Sequence, residues 1–158
     1  MAAKLEAFVT EAVMAHAPAT VVDAYSGSGD VAVALAGRGA KVIAIEIDAE
    51  ASAYAARRLP QGSRAVTARV EDAIRNTLPA DVVILNPPRT GVDSRVTAAL
   101  AAATPAPRAI VYVSCDPATL ARDLSRLPAW KIARLTAFDM FPQTAHVETV
   151  CELVPVGA

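Results

Sequence analysis

Short apolar runs recur along the chain at intervals of roughly twenty residues, at 20–24, 41–47, 64–70, 81–85, 108–113, 132–138 and 147–154. Most are rich in β-branched residues and apolar without strict alternation. That pattern predicts strands buried on both faces of a parallel sheet. The stretches between them, at 31–38, 49–58, 95–103 and 118–127, are rich in Ala, Leu and Arg and predict helices. A further helix over 4–15 leads in. Regular strand–helix alternation implies right-handed crossovers and a doubly wound α/β sheet.

The end of the chain breaks this rhythm. Between Phe138 and Val147 there is no room for a helix, so the last two strands should pair antiparallel. Five parallel strands followed by a terminal antiparallel pair make a seven-stranded, mostly parallel sheet. That is the Rossmann-like arrangement of class I S-adenosylmethionine-dependent methyltransferases, not of a dinucleotide dehydrogenase. No internal repeat or linker divides the sequence, and Pro105 and Pro107 mark a loop, so residues 1–158 are expected to form one domain.

Composition agrees with a packed domain and narrows its chemistry. The 158 residues are 54% hydrophobic and 20% charged, with mean hydropathy +0.36, enough apolar surface for a core. No apolar run approaches the ~20 residues of a membrane span. The start carries Glu6 and Glu11 and lacks the long apolar stretch of a signal peptide. Two cysteines, Cys115 and Cys151, cannot make a disulfide framework, and no Cys/His cluster suggests a metal. A reducing cytoplasm is the default location. Fifteen basic residues against sixteen acidic ones create no global cationic field. Twelve of the fifteen bases are Arg, however, the side chain suited to phosphate forks and base stacking, so a local patch stays open.

Five segments carry candidate chemistry. The first strand runs through Asp23 into Tyr25-Ser26-Gly27-Ser28-Gly29-Asp30, a turn where Gly27 and Gly29 let the backbone approach a ligand beside a helix N-terminus. The second strand ends in Ile45-Glu46-Ile47-Asp48, and a carboxylate there reaches a ribose diol; the plain alternative is helix capping, which suits Asp48 better than Glu46. NAD and S-adenosylmethionine both present that diol. The absent third glycine favours the latter. The fourth strand ends in Asn86-Pro87-Pro88-Arg89-Thr90-Gly91, whose prolines stop the strand and present Asn86 at the sheet's carboxyl edge. The fifth ends in Ser114-Cys115-Asp116-Pro117, with Asp116 and Pro117 a cap and first-turn pair. Cys115 thus precedes a helix N-terminus, where a thiol pKa is lowered. Cys151, inside an apolar strand, reads as core. At the last turn His146 and Glu148, two residues apart, face the same side of the final strand, and either can accept a proton.

Taken together, DAYSGSGD, IEID, NPPRTGVD, SCDPATLARD and DMFPQTAHVET resemble, in order, the uracil-C5 RNA methyltransferase family, which makes 5-methyluridine in tRNA and ribosomal RNA. The resemblance covers essentially the whole chain but only the family's catalytic domain. It has no counterpart of the OB-like and central RNA-binding domains, nor of a glutamine ahead of the first helix that helps hold the base. By matching position, Tyr25, Gly27, Gly29, Asp30, Glu46 and Asn86 fall on cofactor- or base-contacting sites. Cys115 falls on the nucleophile and Glu148 on the general base. The implied cofactor is S-adenosylmethionine, the partner RNA with a single-stranded or flipped uridine, and no metal is implied.

The implied chemistry explains these residue types. Addition of the Cys115 thiolate at uracil C6 makes C5 nucleophilic toward a methyl sulfonium. The C5 proton must then leave, with Glu148 the implied acceptor, before the thiol is eliminated. Asn86 stands where the family usually has Asp; an amide accepts from uracil N3–H and donates to O4, but carries no charge. Arg69 precedes Glu71 and Asp72 where the adenosine edge should lie. An alternative is a cofactor-binding module inactive on RNA by itself, needing other domains or a partner. Methylation of an exocyclic amine ranks lower, because Arg89 replaces the aromatic residue that follows Asn-Pro-Pro in such enzymes and Cys115 would have no task.

Overall fold

A computed structural model describes residues 2–139 and 147–158. The chain runs α1 (Ala2–Met14), β1 (Thr20–Ala24), α2 (Asp30–Gly37), β2 (Lys41–Glu46), α3 (Ala49–Arg58), β3 (Arg64–Thr67), α4 (Val70–Ala73) with a 3-10 turn (Ile74–Thr77), then β4 (Val82–Leu85), α5 (Ser94–Ala102), β5 (Ala109–Ser114), α6 (Pro117–Leu124), β6 (Trp130–Asp139) and β7 (Val147–Pro155). One seven-stranded sheet has the order β3-β2-β1-β4-β5-β7-β6. The first five strands pair parallel, and β7 lies antiparallel between β5 and β6. This is the expected class I methyltransferase arrangement.

Local chemistry fixes where the helices start. Asp48, Asp93 and Asp116 cap α3, α5 and α6 by accepting from the N–H groups of Ala51, Arg95 and Thr119 at 2.8, 2.8 and 2.9 Å. Alternate residues of the central strands then feed two cores. Val22, Ala24, Val83, Leu85, Ile110 and Tyr112 pack on the α5 and α6 side. Val21, Val82, Ile84, Val111 and Val113 pack against α1 and α2.

Burial on both faces holds for the centre of the sheet and fails at its borders. β6 is an edge strand in which Trp130 alone is buried, while Ile132 and Leu135 are 52% and 57% exposed. The opposite edge, β3, has no buried residue. The third apolar run also divides: its strand stops at Thr67 and Val70 opens α4, a single turn too short to register as periodicity.

Two positions show how tightly the β1 end is built. Gly29 has φ +80, and a Cβ there would lie 2.6 Å from the Ala55 Cβ, so this glycine allows α2 to sit against α3. Asp23, 3% exposed in β1, accepts from the Ala32 N–H, yet its Oδ2 has no partner. Burial, aided by the charge of Glu46, raises its pKa to about 7.

Each position yields an expected outcome. Gly29→Ala should lower the unfolding free energy in urea by about 2 kcal/mol through overpacking and left-handed strain. Adding Ala55→Gly should restore the packing part. For Asp23 the raised pKa means that the folded state holds the proton more tightly than the unfolded chain. Its contribution is therefore complete below pH 3.8, falls as pH rises, and levels off above about 7. Asp23→Asn should consequently gain on the parent by roughly 1.4 kcal/mol per pH unit across that window. Parallel pH profiles of the two proteins in denaturant titrations would mean that Asp23 ionises normally.

Candidate active site

The parallel register sets the site. Ala24 pairs with Leu85, and Leu85 with Tyr112, so Tyr25 and Asn86 leave β1 and β4 side by side at the carboxyl edge. The Asn86 N–H donates to the Ala24 carbonyl at 3.3 Å, tying the two strand ends together. Tyr25 holds φ +62, an αL conformation that is uncommon for a side chain of this size and turns the backbone into the glycine turn. Burial, and then the charges of Glu71, Asp93 and Asp123, push its phenol pKa up, keeping the hydroxyl protonated.

A cleft of about 730 Å³ opens along this edge, walled by Glu46 and Ile47 after β2, residues 68–71 after β3, and the loop from Asn86 to Ser94 after β4. A second cavity of about 120 Å³ lies toward α1, with Asp23 and Ser26 on one wall and Leu5 and Glu6 on the other. Tyr25 and Asn86 line both. The unpartnered oxygen of Asp23 thus belongs to a residue on the wall of the smaller space.

Glu46 is held rigidly. Its Oε2 accepts from the Gly27 N–H and its Oε1 from the Asp48 N–H, both at 2.8 Å. Each oxygen retains a lone pair for a ligand hydroxyl. Asp48, not Glu46, caps the helix, which separates the two acids as the residue types suggested. Gly27 shapes the site through that bond. Gly29 and Asp30 line neither cavity: Gly29 serves the α2–α3 contact, and Asp30 binds Ser28 and Arg58 at 2.5 and 2.7 Å. Those bonds, Ser28 first, hold the Asp30 carboxyl below the usual carboxylate range. After β3 it is Glu71 that lines the main cleft, paired with Arg69 at 3.3 Å, while Asp72 binds Arg95 outside it.

Cys115 stands half-buried where β5 ends, in a turn fixed by Ser114, whose Oγ donates to the Asp116 carbonyl and accepts from its N–H. The β5–β7 ladder closes at Ser114 opposite Thr149. Cys115 follows the last residue of that ladder on β5, and Glu148 precedes the last on β7, so both lie at the same end of the strand pair. Glu148 is half-buried, and neither residue lines the two cavities. His146 and the rest of 140–146 lie outside the described residues. Cys151 is buried in β7 and burial pushes its thiol up to about 11, as befits a core residue.

Two features of the site, one beside each cavity, were not read from the sequence. Asp23 interrupts an apolar run, a signal that a buried strand carries a carboxyl for a purpose. Ile47, 59% exposed on the cleft wall, is an apolar side chain between two acids, and nothing in the sequence marks which way it points. Among the described residues no cluster of His, Cys, Asp or Glu could hold a metal ion, and no helix is long and apolar enough to cross a membrane.

Known proteins resemble this chain along most of its length. The model of the tRNA (Uracil-5-)-methyltransferase family matches residues 60–154. An uncharacterized RNA methyltransferase of Prochlorococcus marinus is 41% identical over 84% of this chain and 33% of its own length. The 23S rRNA (uracil(747)-C(5))-methyltransferase RlmC of Shewanella amazonensis is 34% identical over the whole chain and 42% of its own length. The Pyrococcus abyssi tRNA (uracil-54, C5)-methyltransferase, crystallised with S-adenosyl-L-homocysteine, superposes with a TM-score of 0.81 at 32% identity, over 96% of this chain and 37% of that one. The chain thus spans about a third of the length of such relatives. With its fold, its edge motifs and these similarities in agreement, the chain belongs to the tRNA (uracil-5-)-methyltransferase family.

Proposed function

We propose that this chain performs the chemical step of S-adenosylmethionine-dependent methylation at C5 of a uridine in RNA. The observation that carries the reading is the β5–β7 register, whose last pair, Ser114 and Thr149, is followed by Cys115 and preceded by Glu148 at the sheet edge that also bears Asn86 and the cleft. Nucleophile, proton acceptor and base-recognition amide thus share one edge.

The residues present fit the cofactor. Glu46, with its free lone pairs, suits a ribose diol. Exposed Ile47 offers an apolar face to an adenine, and the unpartnered Asp23 oxygen suits an ammonium group. When bound, S-adenosylmethionine supplies the methyl group that uracil C5 takes up. The Asn86 amide can accept from uracil N3–H and donate to O4, orienting the ring. The Cys115 thiolate adds at C6, forming an S–C bond and moving the ring electrons toward C5 and O4. Once C5 is methylated, the Glu148 carboxylate takes the C5 proton, and the electrons of that C–H bond expel the Cys115 thiolate and restore the C5–C6 double bond. The target uridine must leave its stack to present C6 to Cys115, so a flipped or single-stranded nucleotide is the substrate form.

The test mixes the purified chain with S-adenosylmethionine and RNA carrying 5-fluorouridine. Fluorine at C5 cannot leave as a proton, so a denaturation-resistant protein–RNA adduct should form and should be absent with Cys115→Ala. S-adenosylhomocysteine binding in calorimetry without any adduct would instead favour a cofactor-binding module that needs other domains or a partner to act on RNA.

A further inference from the structure

Helix α6 begins immediately after Cys115 and lies against the loop that follows Asn86. Thr119, Arg122 and Asp123 recur at helical spacing on its loop-facing side, and Arg126 follows in the turn just past its end. The Thr119 hydroxyl donates to the Arg89 carbonyl at 3.1 Å and the Arg122 guanidinium to the Thr90 carbonyl at 2.7 Å. Asp123 Oδ2 accepts from the Val92 N–H at 2.9 Å, and Arg126 reaches the Val92 carbonyl at 3.5 Å. Three residues of the loop are therefore held by their main chain. Such contacts fix backbone position whatever the side chains are.

Asp123 is the centre of this arrangement. It is wholly buried and also accepts from the Tyr112 hydroxyl at 2.6 Å and from Arg122 Nε and Nη2 at 3.0 and 2.8 Å. Tyr112 lies on β5, three residues before Cys115. One carboxylate therefore joins β5, α6 and the loop. Gly91, at φ +77, lies so close that a Cβ there would collide with the Asp123 carboxylate and the Thr119 methyl group. The loop fits against the helix only at a glycine.

We infer that Asp123 is a positioning residue, setting the Asn86 loop and hence the cleft wall at a fixed distance from Cys115. Pro88 and residues 90–94 of that loop line the cleft, so its width follows from the latch. A carboxylate suits the task because two oxygens serve the loop, the tyrosine and the guanidinium at once. An amide in its place puts a donor toward the Val92 N–H, losing that bond, or toward Arg122, losing both bonds from its guanidinium. The catalytic meaning of the latch rests on the proposed function, whereas the hold on the loop does not.

The experiment compares Asp123→Asn and Gly91→Ala with Asp81→Asn in the full chain. Asp81 accepts from the Ala19 and Thr20 N–H groups at 2.7 and 3.0 Å at the opposite end of the sheet, and so reports general destabilisation. Amide exchange at Val92 is read by NMR, S-adenosylhomocysteine affinity by calorimetry, and adduct formation with 5-fluorouridine RNA by gel. Asp123→Asn and Gly91→Ala should each speed Val92 exchange and weaken S-adenosylhomocysteine binding by about tenfold, the loss expected for one charge-assisted hydrogen bond. They should also slow adduct formation at saturating RNA without raising the RNA concentration needed. Asp81→Asn, compared at equal stability, should do none of these. Gly91→Ala keeps every buried charge, so it decides the matter if Asp123→Asn fails to fold. The inference falls if the latch variants match Asp81→Asn in exchange and affinity. If the parent chain binds no S-adenosylhomocysteine and forms no adduct, the proposed function falls with the catalytic role of the latch. Val92 exchange still decides whether Asp123 holds the loop.

Discussion

The site depends on how far each strand runs past its neighbour. β1 and β4 stop level, at Ala24 and Leu85, and β5 is paired to β4 at that level through Tyr112. β5 nonetheless continues for two more residues, because β7 goes on pairing with Val113 and Ser114 after β4 has ended. At about 3.3 Å per residue, this lifts Cys115 clear of the row formed by Tyr25 and Asn86. A parallel partner in the place of β7 would have needed a long crossover and could not have returned directly to the end of β5. The antiparallel strand therefore does two things with one register: it supports the overhang that carries Cys115 and brings Glu148 to the same end of the sheet.

Two buried carboxylates show the opposite electrostatic solutions available inside such a fold. Asp123 has donors on both oxygens and cations at its border, the arrangement that makes a buried charge tolerable. Asp23, by contrast, is left with one oxygen unmatched beside a small cavity and is driven toward its neutral form. A group of the first kind fixes structure, because moving any partner exposes the cost of the charge. A group of the second kind costs stability unless something else meets it. Its place beside Tyr25 and Ser26, at the turn that ends β1, makes a cationic ligand group the natural complement.

Much of this was legible from residue order. β-branched runs located the strands, Asp48 and Asp116 announced helix starts, and the short link after Phe138 implied the antiparallel pair. These signals are local, so the residues that carry them also execute them. What escaped was set by distant partners. The exposure of Ile132 and Leu135 follows from β6 being an edge, a property of strand order and not of the β6 sequence. Asp123 reads as an ordinary acid in an Ala-Arg-Asp-Leu helix until Val92 and Tyr112 are brought to it from 31 and 11 residues away. Gly29 gives the inverse case. Its G-x-G context suggested a ligand, whereas the contact that demands a glycine is with Ala55 on the next helix.

The same distinction bears on Asn86, which the resemblance of the motifs sets where the family usually has Asp. Its backbone is fixed by the bond to Ala24, by the two prolines that follow it and by the α6 latch three residues further on, none of which involves the side chain. Exchange of carboxylate for amide therefore leaves the frame unchanged and alters only what is offered to a ligand. Under the proposed function that difference is specific. A carboxylate can only accept, so it satisfies N3–H and leaves O4 facing a like partial charge. An amide satisfies both atoms of the uracil edge. What the amide gives up is the ability to hold a negative charge near the developing enolate. On that oxygen such a charge would be unfavourable in any case. Within that proposal the substitution is thus compatible with recognition of uracil and with the Cys115 chemistry, because Asn86 is not the group asked to accept the proton.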